Sequence, residues 1–217
     1  MRKIIAIHQV TLDGVIQGPG GPEEDKSGGF KHGGWAAPFV DDTFAEELRK
    51  LMATDFDLLL GRRTYEIWEA YWPYQDNYIA GPFNKATKYV ATDTLNELSW
   101  DRSERLSGDV AEVVRELKAG DGPEIHVWGS ANLLQTLIAA ELVDEFRLWV
   151  FPIIIGEGKK LFEKGLPPAT FSTVSSKVTP AGLIYSTYRP AGPLIEGNLA
   201  EGTPTEAEIE RRKKHNT

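Results

Sequence analysis

Strand-like and helix-like segments alternate along most of the chain, and this alternation is the feature that most restricts the fold. Apolar runs with strand character lie at residues 3–10, 55–61, 88–91 and 124–128. Helical patterns follow them at 42–52, 61–72, 109–120 and 131–140. Because a crossover helix returns the chain in the same direction, the pattern predicts an α/β fold with a mostly parallel sheet and flanking helices. The runs at 145–155, 170–178 and 183–189 lack intervening helices and predict an antiparallel C-terminal edge.

Chain length and composition predict one domain followed by a tail. The chain has 217 residues and is 41% hydrophobic, which is enough for a full core. Proline, glycine and charged residues replace apolar ones after the last strand-like run. We therefore expect a domain at 1–191 and a polar tail at 192–217, where a short helix at 205–214 fits the pattern.

Charge and cysteine content exclude several kinds of partner and site. The net charge is −8, and no run of Lys or Arg lies inside the predicted domain, so neither nucleic acid nor a membrane is expected as a partner. The chain has no cysteine, and its four histidines lack ligand spacing, so no metal site is expected. The absence of cysteine also suits a reducing cytoplasm, which is the expected location, and the N-terminal apolar run is too short for a signal peptide.

A glycine-rich loop follows the first strand-like run. Eight glycines and two prolines between Gly14 and Gly34 rule out regular structure there. A loop of this length in a compact domain usually has a function, and we expect it to act as a lid.

The stretch EIHVWGSANLL, residues 124–134, turns from strand to helix with only Gly129 and Ser130 at the corner. A helix that begins at the carboxyl end of a parallel strand points free N–H groups at whatever binds there, which suits a phosphate. The alternative is an ordinary turn in which Ser130 caps the helix.

Two more strand ends carry groups that bind phosphate. LLLGRRTYE places Arg62, Arg63 and Thr64 at a second helix start, although the arginines would also be there if they were only solvated. YVATDTL places Thr92 and Asp93 at a third strand end. Three such ends side by side predict an extended dinucleotide groove, and the substrate is expected to be a small molecule.

The order and spacing of these motifs resemble the dihydrofolate reductase-like fold. The matching segments are TLDGVI, GW followed by AAPF, GRRTYE, VATDTL and EIHVWGSANLLQTLI. LVDEFRLWVFPIIIGEGKKLF resembles one branch, the reductase domain of the bifunctional deaminase-reductase of riboflavin biosynthesis and its stand-alone relatives. The resemblance covers residues 2–189 and implies an eight-stranded sheet, NADPH as the hydride donor and often a homodimer.

The resemblance also implies roles for individual residues. Val15, Ile16 and Trp128 would line the nicotinamide, and Thr92 and Asp93 would lie along the adenosine half. Phosphate groups, including the 2′-phosphate of NADPH, would contact Gly61, Arg62, Arg63 and Thr64. The pyrophosphate would lie on Gly129, Ser130, Ala131, Asn132 and Leu133.

The match to dihydrofolate reductase weakens at the catalytic carboxylate. Asp41 and Asp42 are the candidate catalytic residues, but they come one residue later than that pattern expects, and either is also suited to cap the next helix. The riboflavin branch does not depend on the same acid, because its substrate is a pyrimidine that carries a ribose phosphate.

The function expected from the sequence is an NADPH-dependent reductase that transfers a hydride to a planar heterocycle or a ribosylamino-pyrimidine, as in 5-amino-6-(5-phosphoribosylamino)uracil reductase. The alternatives are a non-catalytic nucleotide-binding or assembly module of the same fold and a dihydrofolate (pterin) reductase. Lys159 and Lys160 are suited either to a substrate phosphate or to a solvated strand end, and Trp35, Trp72 and Tyr74 are candidates to flank a planar substrate.

Overall fold

The computed structural model describes residues 1–163, 165–199 and 202–215, and its centre is one eight-stranded sheet. The strand order is β4-β3-β2-β5-β1-β6-β8-β7. The strands are β1 (Ile4–Thr11), β2 (Phe56–Gly61), β3 (Lys88–Ala91), β4 (Ser103–Leu106), β5 (Glu124–Trp128), β6 (Glu145–Phe151), β7 (Ala169–Val178) and β8 (Ile184–Pro193).

Parallel pairing dominates the sheet, as the alternation of strands and helices predicts. All pairs from β4 to β6 are parallel. Only β8 runs the other way, and it pairs antiparallel with β6 on one side and β7 on the other. The prediction of a mostly parallel, eight-stranded sheet with an antiparallel C-terminal edge is therefore confirmed.

Helices cover both faces of the sheet. They are α1 (Asp42–Met52), α2 (Arg62–Glu69), α3 (Ala80–Lys85), α4 (Val110–Ala119) and α5 (Ala131–Ala139), whereas α6 (Glu206–His215) lies in the C-terminal tail and is mostly exposed. Short 3-10 turns occur at Ser27–Gly29, Ala37–Phe39 and Trp72–Tyr74.

Two hydrophobic cores lie on opposite faces of the sheet, and β1 contributes to both. Ile5 and Ile7 pack in the core that includes Phe44 of α1, whereas Ile4 and Ala6 pack in the core that includes Leu134 of α5. A strand covered on both faces needs apolar residues at successive positions, which is why β1 reads as a continuous apolar run.

The C-terminal part of the chain extends the sheet slightly beyond the expected domain. β8 reaches Pro193, two residues past the predicted boundary at 191, and α6 lies within one residue of the predicted helix at 205–214.

Across the part of the chain that the structure describes, no helix is long and apolar enough to cross a membrane.

Candidate functional site

A cavity of about 580 Å³ lies where the parallel strands end. Its wall includes the last residues of β2, β3 and β5, the first turns of α2 and α5, part of the glycine-rich loop and Lys159. Ligands of open α/β sheets bind at this edge, because the helices that start there point unpaired N–H groups towards it. The topology thus brings two of the three predicted strand corners to one cavity.

The corner between β5 and α5 adopts an unusual backbone conformation. Gly129 and Ser130 both lie in the left-handed region, with φ of +51° and +53°. The Ser130 hydroxyl accepts a hydrogen bond from the Gly61 N–H at 2.9 Å and makes no capping bond to α5. Ser130 occupies the N-cap position, but the interpretation of this corner as an ordinary serine-capped helix is wrong. The first turn of α5 keeps its N–H groups without a side-chain cap at the cavity wall.

The two helix starts are locked together by reciprocal hydrogen bonds. Gly61, before α2, donates to Ser130, and the Ser130 N–H donates to the Thr64 hydroxyl at 2.8 Å. The approach is close: a Cβ on Gly129 would lie 3.0 Å from the Thr64 Oγ1. Small residues at the corner therefore let the amides of both helices face one space.

The first turn of α2 supplies two guanidinium groups. Arg62 donates to Glu66 at 2.9 Å and to the Thr94 hydroxyl at 2.8 Å. The Arg63 Nε lies 3.8 Å from the Asp25 carboxylate, beyond hydrogen-bond distance. Both side chains are about half exposed and line the cavity, so they add positive charge beside the helix starts.

A hydrogen bond from His8 holds the backbone of the corner between β5 and α5. The His8 Nε2 lies 2.8 Å from the Gly129 carbonyl oxygen, so Nε2 carries the proton and donates. Burial lowers the pKa of His8 to about 4, although the bond to Gly129 acts in the opposite direction. The ring is therefore neutral at physiological pH, and it holds the corner through a hydrogen bond and not through charge.

The start of the glycine-rich loop is anchored to the segment after β6. The Asp13 carboxylate accepts the N–H groups of Ile155 and Gly156 and the Thr11 hydroxyl, and the Thr11 bond is the main reason that the pKa of Asp13 falls to about 2. Val15 forms an antiparallel bridge with Lys160. The predicted lid is thus held at its first residues, and the part that lines the cavity begins at Ile16.

The fold agrees with comparisons to known proteins. A family model described as the RibD C-terminal domain matches residues 2–185.

The chain belongs to the RibD C-terminal domain family.

Two relatives of this RibD C-terminal domain chain come from Bacillus subtilis (strain 168). The uncharacterised protein YyaP is 29% identical over 192 residues, which cover 86% of this chain and 94% of YyaP. The uncharacterised protein YwjB is 27% identical over 110 residues, which cover 49% of this chain and 58% of YwjB.

Solved structures support the same fold. A putative riboflavin biosynthesis protein from Shewanella sp. PV-4 has a TM-score of 0.64 at 23% identity and covers 87% of this chain and 98% of its own. A pyrimidine reductase-like protein from Corynebacterium diphtheriae has a TM-score of 0.59 at 16% identity, with coverages of 87% and 92%. Dihydrofolate reductase from Enterococcus faecalis, complexed with NADP(H), has a TM-score of 0.56 at 17% identity, with coverages of 87% and 96%.

The cavity of this RibD C-terminal domain chain brings together most of the residues that the sequence assigns to the cofactor. Its wall contains Ile16, Gly61, Arg62, Arg63, Thr64, Trp128, Gly129, Ser130, Ala131, Asn132 and Leu133. Val15 is fully buried behind this wall. Thr92 and Asp93 do not line the cavity, and the Thr92 hydroxyl instead accepts the N–H groups of Thr94 and Leu95.

The two candidate catalytic carboxylates lie outside the cavity. Asp41 caps α1 by accepting the Phe44 N–H at 2.8 Å, and it also accepts the Ala181 N–H at 3.0 Å. The Phe44 bond is the main reason that the pKa of Asp41 is lowered. Asp42 is exposed in the first turn of α1. Asp41 therefore caps α1, as the alternative interpretation proposed.

Several residues at the cavity belong to no motif that can be recognised from the sequence alone. Glu24, Asp25 and Gln17 come from the loop, and Trp68 comes from α2. Lys159 also lines the cavity, whereas the Lys160 ammonium donates to the Asp13 carbonyl. Trp35, Trp72 and Tyr74 are not part of the wall. Within the described ranges, no group of His, Asp and Glu side chains is arranged to hold a metal ion.

Proposed function

We propose that this protein is an NADPH-dependent reductase of a planar heterocycle or a ribosylamino-pyrimidine. One observation carries the proposal: two helix starts, tied to each other through Ser130, open on one cavity beside Arg62 and Arg63. Backbone N–H groups at helix starts bind phosphate oxygens, and guanidinium groups match phosphate bidentately.

The residues at the cavity fit a dinucleotide. The volume of about 580 Å³ lies within the usual range for ligand pockets. The α5 start has no side-chain cap, and Gly129 brings the backbone close to Thr64 where a Cβ would crowd it. The diphosphate would lie on residues 129–133, and a 2′-phosphate would contact Arg62 and Arg63. When bound, NADPH supplies a hydride from C4 of its nicotinamide.

The other side chains of the cavity would orient the reactants and exclude water. Ile16, Trp68 and Trp128 present apolar surface that suits flat rings. Gly18 and Pro19 of the glycine-rich loop cover the same space, and a covered site limits the access of water during hydride transfer. The neutral ring of His8 keeps the Gly129 carbonyl in place.

Family membership and the names of two structural neighbours support the substrate class. One neighbour is named a putative riboflavin biosynthesis protein and another a pyrimidine reductase-like protein. We do not propose pterin reduction, because Asp41 and Asp42, the acids that would be needed for it, lie away from the cavity. The homodimer and the cytoplasmic location stay predictions.

Titration of NADPH and NADH against tryptophan fluorescence tests the cofactor, since Trp68 and Trp128 line the cavity. We expect NADPH to bind at least about tenfold more tightly than NADH, as charged hydrogen bonds contribute about 1.5–3 kcal/mol. Replacing Arg62 and Arg63 together with alanine should remove this preference. Arg115→Ala, on the exposed side of α4, is the matched control and should leave it unchanged.

The proposal fails if wild-type protein binds neither nucleotide, or if its preference for NADPH survives the double substitution. Turnover is tested separately by NADPH oxidation with a panel of pyrimidine and pterin substrates. Oxidation with a ribosylamino-pyrimidine would support the reductase. Tight NADPH binding without turnover of any member of the panel would instead indicate a nucleotide-binding module.

A further inference from the structure

One carboxylate of the glycine-rich loop lies between two cations of the cavity wall. The Asp25 side chain is only 10% exposed, and its Oδ2 lies 2.6 Å from the Lys159 ammonium. Its Oδ1 accepts the Ser27 N–H at 3.0 Å and lies 3.8 Å from the Arg63 Nε. Asp25, Arg63 and Lys159 all line the cavity.

The two cations come from different parts of the fold and converge on this single acid. Arg63 belongs to the first turn of α2, and Lys159 follows β6. Without Asp25, the positive charges of Arg63 and Lys159 would lie close together at the cavity wall and repel each other. An anion between them removes this repulsion. The place between them is therefore an anion position that the chain fills with its own carboxylate.

The fit between Asp25 and Arg63 is incomplete. Lys159 makes a short hydrogen bond to the carboxylate, but at 3.8 Å Arg63 makes none, and no other described residue accepts a hydrogen bond from its guanidinium. A phosphate has more oxygen atoms and more charge than a carboxylate, so it can reach both cations at once. The N–H groups of the Arg63 guanidinium thus remain available to an anion that is larger than the Asp25 carboxylate.

We propose that Arg63 and Lys159 form a binding subsite for a phosphate monoester, and that Asp25 occupies this subsite until the phosphate displaces it. The inference rests on the proposed function in that the ligand is a phosphorylated nucleotide or a phosphorylated substrate. Burial opposes ionisation of Asp25, but the bonds from Lys159 and Ser27 outweigh it and lower the pKa of the carboxyl, so the group is charged at neutral pH.

Displacement does not require the whole loop to open. The Gln17 amide donates to the carbonyl oxygens of Asp25 and Ser27 at 3.2 and 2.9 Å, and its oxygen accepts the Lys159 N–H at 3.1 Å. These bonds hold the backbone of the loop beside Lys159. We therefore expect the Asp25 side chain to vacate the position between the cations by rotation, while the backbone stays in place.

Calorimetric titration with inorganic phosphate tests the subsite on the intact chain. Asp25→Asn removes the competing charge but keeps an oxygen for the Ser27 N–H, so we expect it to bind phosphate about tenfold more tightly than wild type. Glu23→Gln makes the same charge change in the same loop, where the carboxylate is 80% exposed and paired with Lys26, and should change the affinity less than twofold. Lys159→Met in the Asp25→Asn background should abolish the gain.

Equal or weaker phosphate binding by Asp25→Asn would overturn the inference, because Asp25 would then organise the cations and not compete for them. A similar gain in Glu23→Gln would also overturn it, since the effect would be one of net charge. Circular dichroism and the melting temperature of each variant establish that it is folded.

Repeating the titration with bound nucleotide identifies the source of the phosphate. If saturating NADPH abolishes the gain and NADH does not, the subsite takes the 2′-phosphate of the cofactor. If the gain persists with NADPH bound, it takes the phosphate of the substrate; both results support the subsite. A protein that binds neither nucleotide, yet gains phosphate affinity in Asp25→Asn, refutes the proposed reductase and keeps the subsite.

Discussion

Replacement of Gly129 by alanine tests whether the corner between β5 and α5 is built by close backbone approach. Gly129 has φ of +51°, a conformation that L residues adopt at a cost. A Cβ at this position would lie 3.0 Å from the Thr64 Oγ1 and 3.4 Å from its Cγ2. The new methyl group therefore meets the side chain whose hydroxyl accepts the Ser130 N–H.

The expected destabilisation is the sum of two terms. The left-handed conformation costs a non-glycine residue about 1–2 kcal/mol. Displacement of the Thr64 hydroxyl weakens its bond with Ser130, worth about 0.5–1.5 kcal/mol. We expect Gly129→Ala to lower the free energy of unfolding by about 1.5–3.5 kcal/mol and the melting temperature by roughly 3–14 °C for a chain of this size.

Urea denaturation of Gly129→Ala and Gly14→Ala separates the two terms. Gly14 has φ of +87°, and a Cβ there would have no atom within 4 Å, so this control carries the conformational cost without the contact. Gly129→Ala should lose about 1 kcal/mol more than Gly14→Ala, and NADPH binding should weaken only in Gly129→Ala. Equal losses in the two variants would refute the reasoning from close approach.

Two further predictions concern buried ionisable groups. Because burial lowers the pKa of His8 to about 4 from 6.5 in the unfolded chain, only the unfolded state gains this proton between those values. Its contribution to stability is complete above pH 6.5 and is lost as pH falls towards 4, by about 3 kcal/mol, with a contribution in the same direction from His126. His8→Gln should flatten this dependence in urea denaturation between pH 7 and 4.5; an unchanged slope would contradict the burial argument. Asp57→Asn should lower the free energy of unfolding by about 3 kcal/mol, because it leaves the buried Arg2 guanidinium unpaired. Asp55→Asn, which breaks an exposed pair, should cost much less than Asp57→Asn in the same assay, because solvent screens exposed charges.

The parallel sheet was predictable because its central strands are buried on both faces. Such strands carry continuous apolar runs, as in β1 and β2, and these runs stand out from the loops around them. β4 was missed because its four residues, Ser103–Leu106, are exposed or half-buried and pair at the edge through backbone bonds. α3 was missed because Gly81 and Pro82 lie within its six residues and hide its periodicity.

The parts of the candidate site that are built from local backbone motifs could be predicted from the sequence. The parts that depend on side-chain contacts between distant residues were harder to predict. Gly129 and Ser130 are adjacent in sequence, so their corner can be recognised from a short motif. Asp25 reaches a partner 134 residues away, and no local pattern encodes that contact. Asp41 shows the opposite difficulty: an acid at a helix start satisfies a capping pattern and a catalytic one equally well, and only the three-dimensional structure places it away from the cavity.

Hydrogen bonds between the two ends of the glycine-rich loop limit how the loop can move. Its composition leaves only a short 3-10 turn at Ser27–Gly29, but both ends of the segment at the cavity are fixed to each other. The Trp35 indole N–H donates to the Gln17 carbonyl at 2.7 Å. The Gly34 N–H also donates to the Gly18 carbonyl at 2.8 Å. A hinge at these points would break buried hydrogen bonds, so opening of the whole segment costs more than rearrangement of residues 19–33 between them. We therefore expect changes on ligand binding to be confined to that interval, which contains Asp25, and amide hydrogen exchange should protect Gly34 more strongly than Ser27.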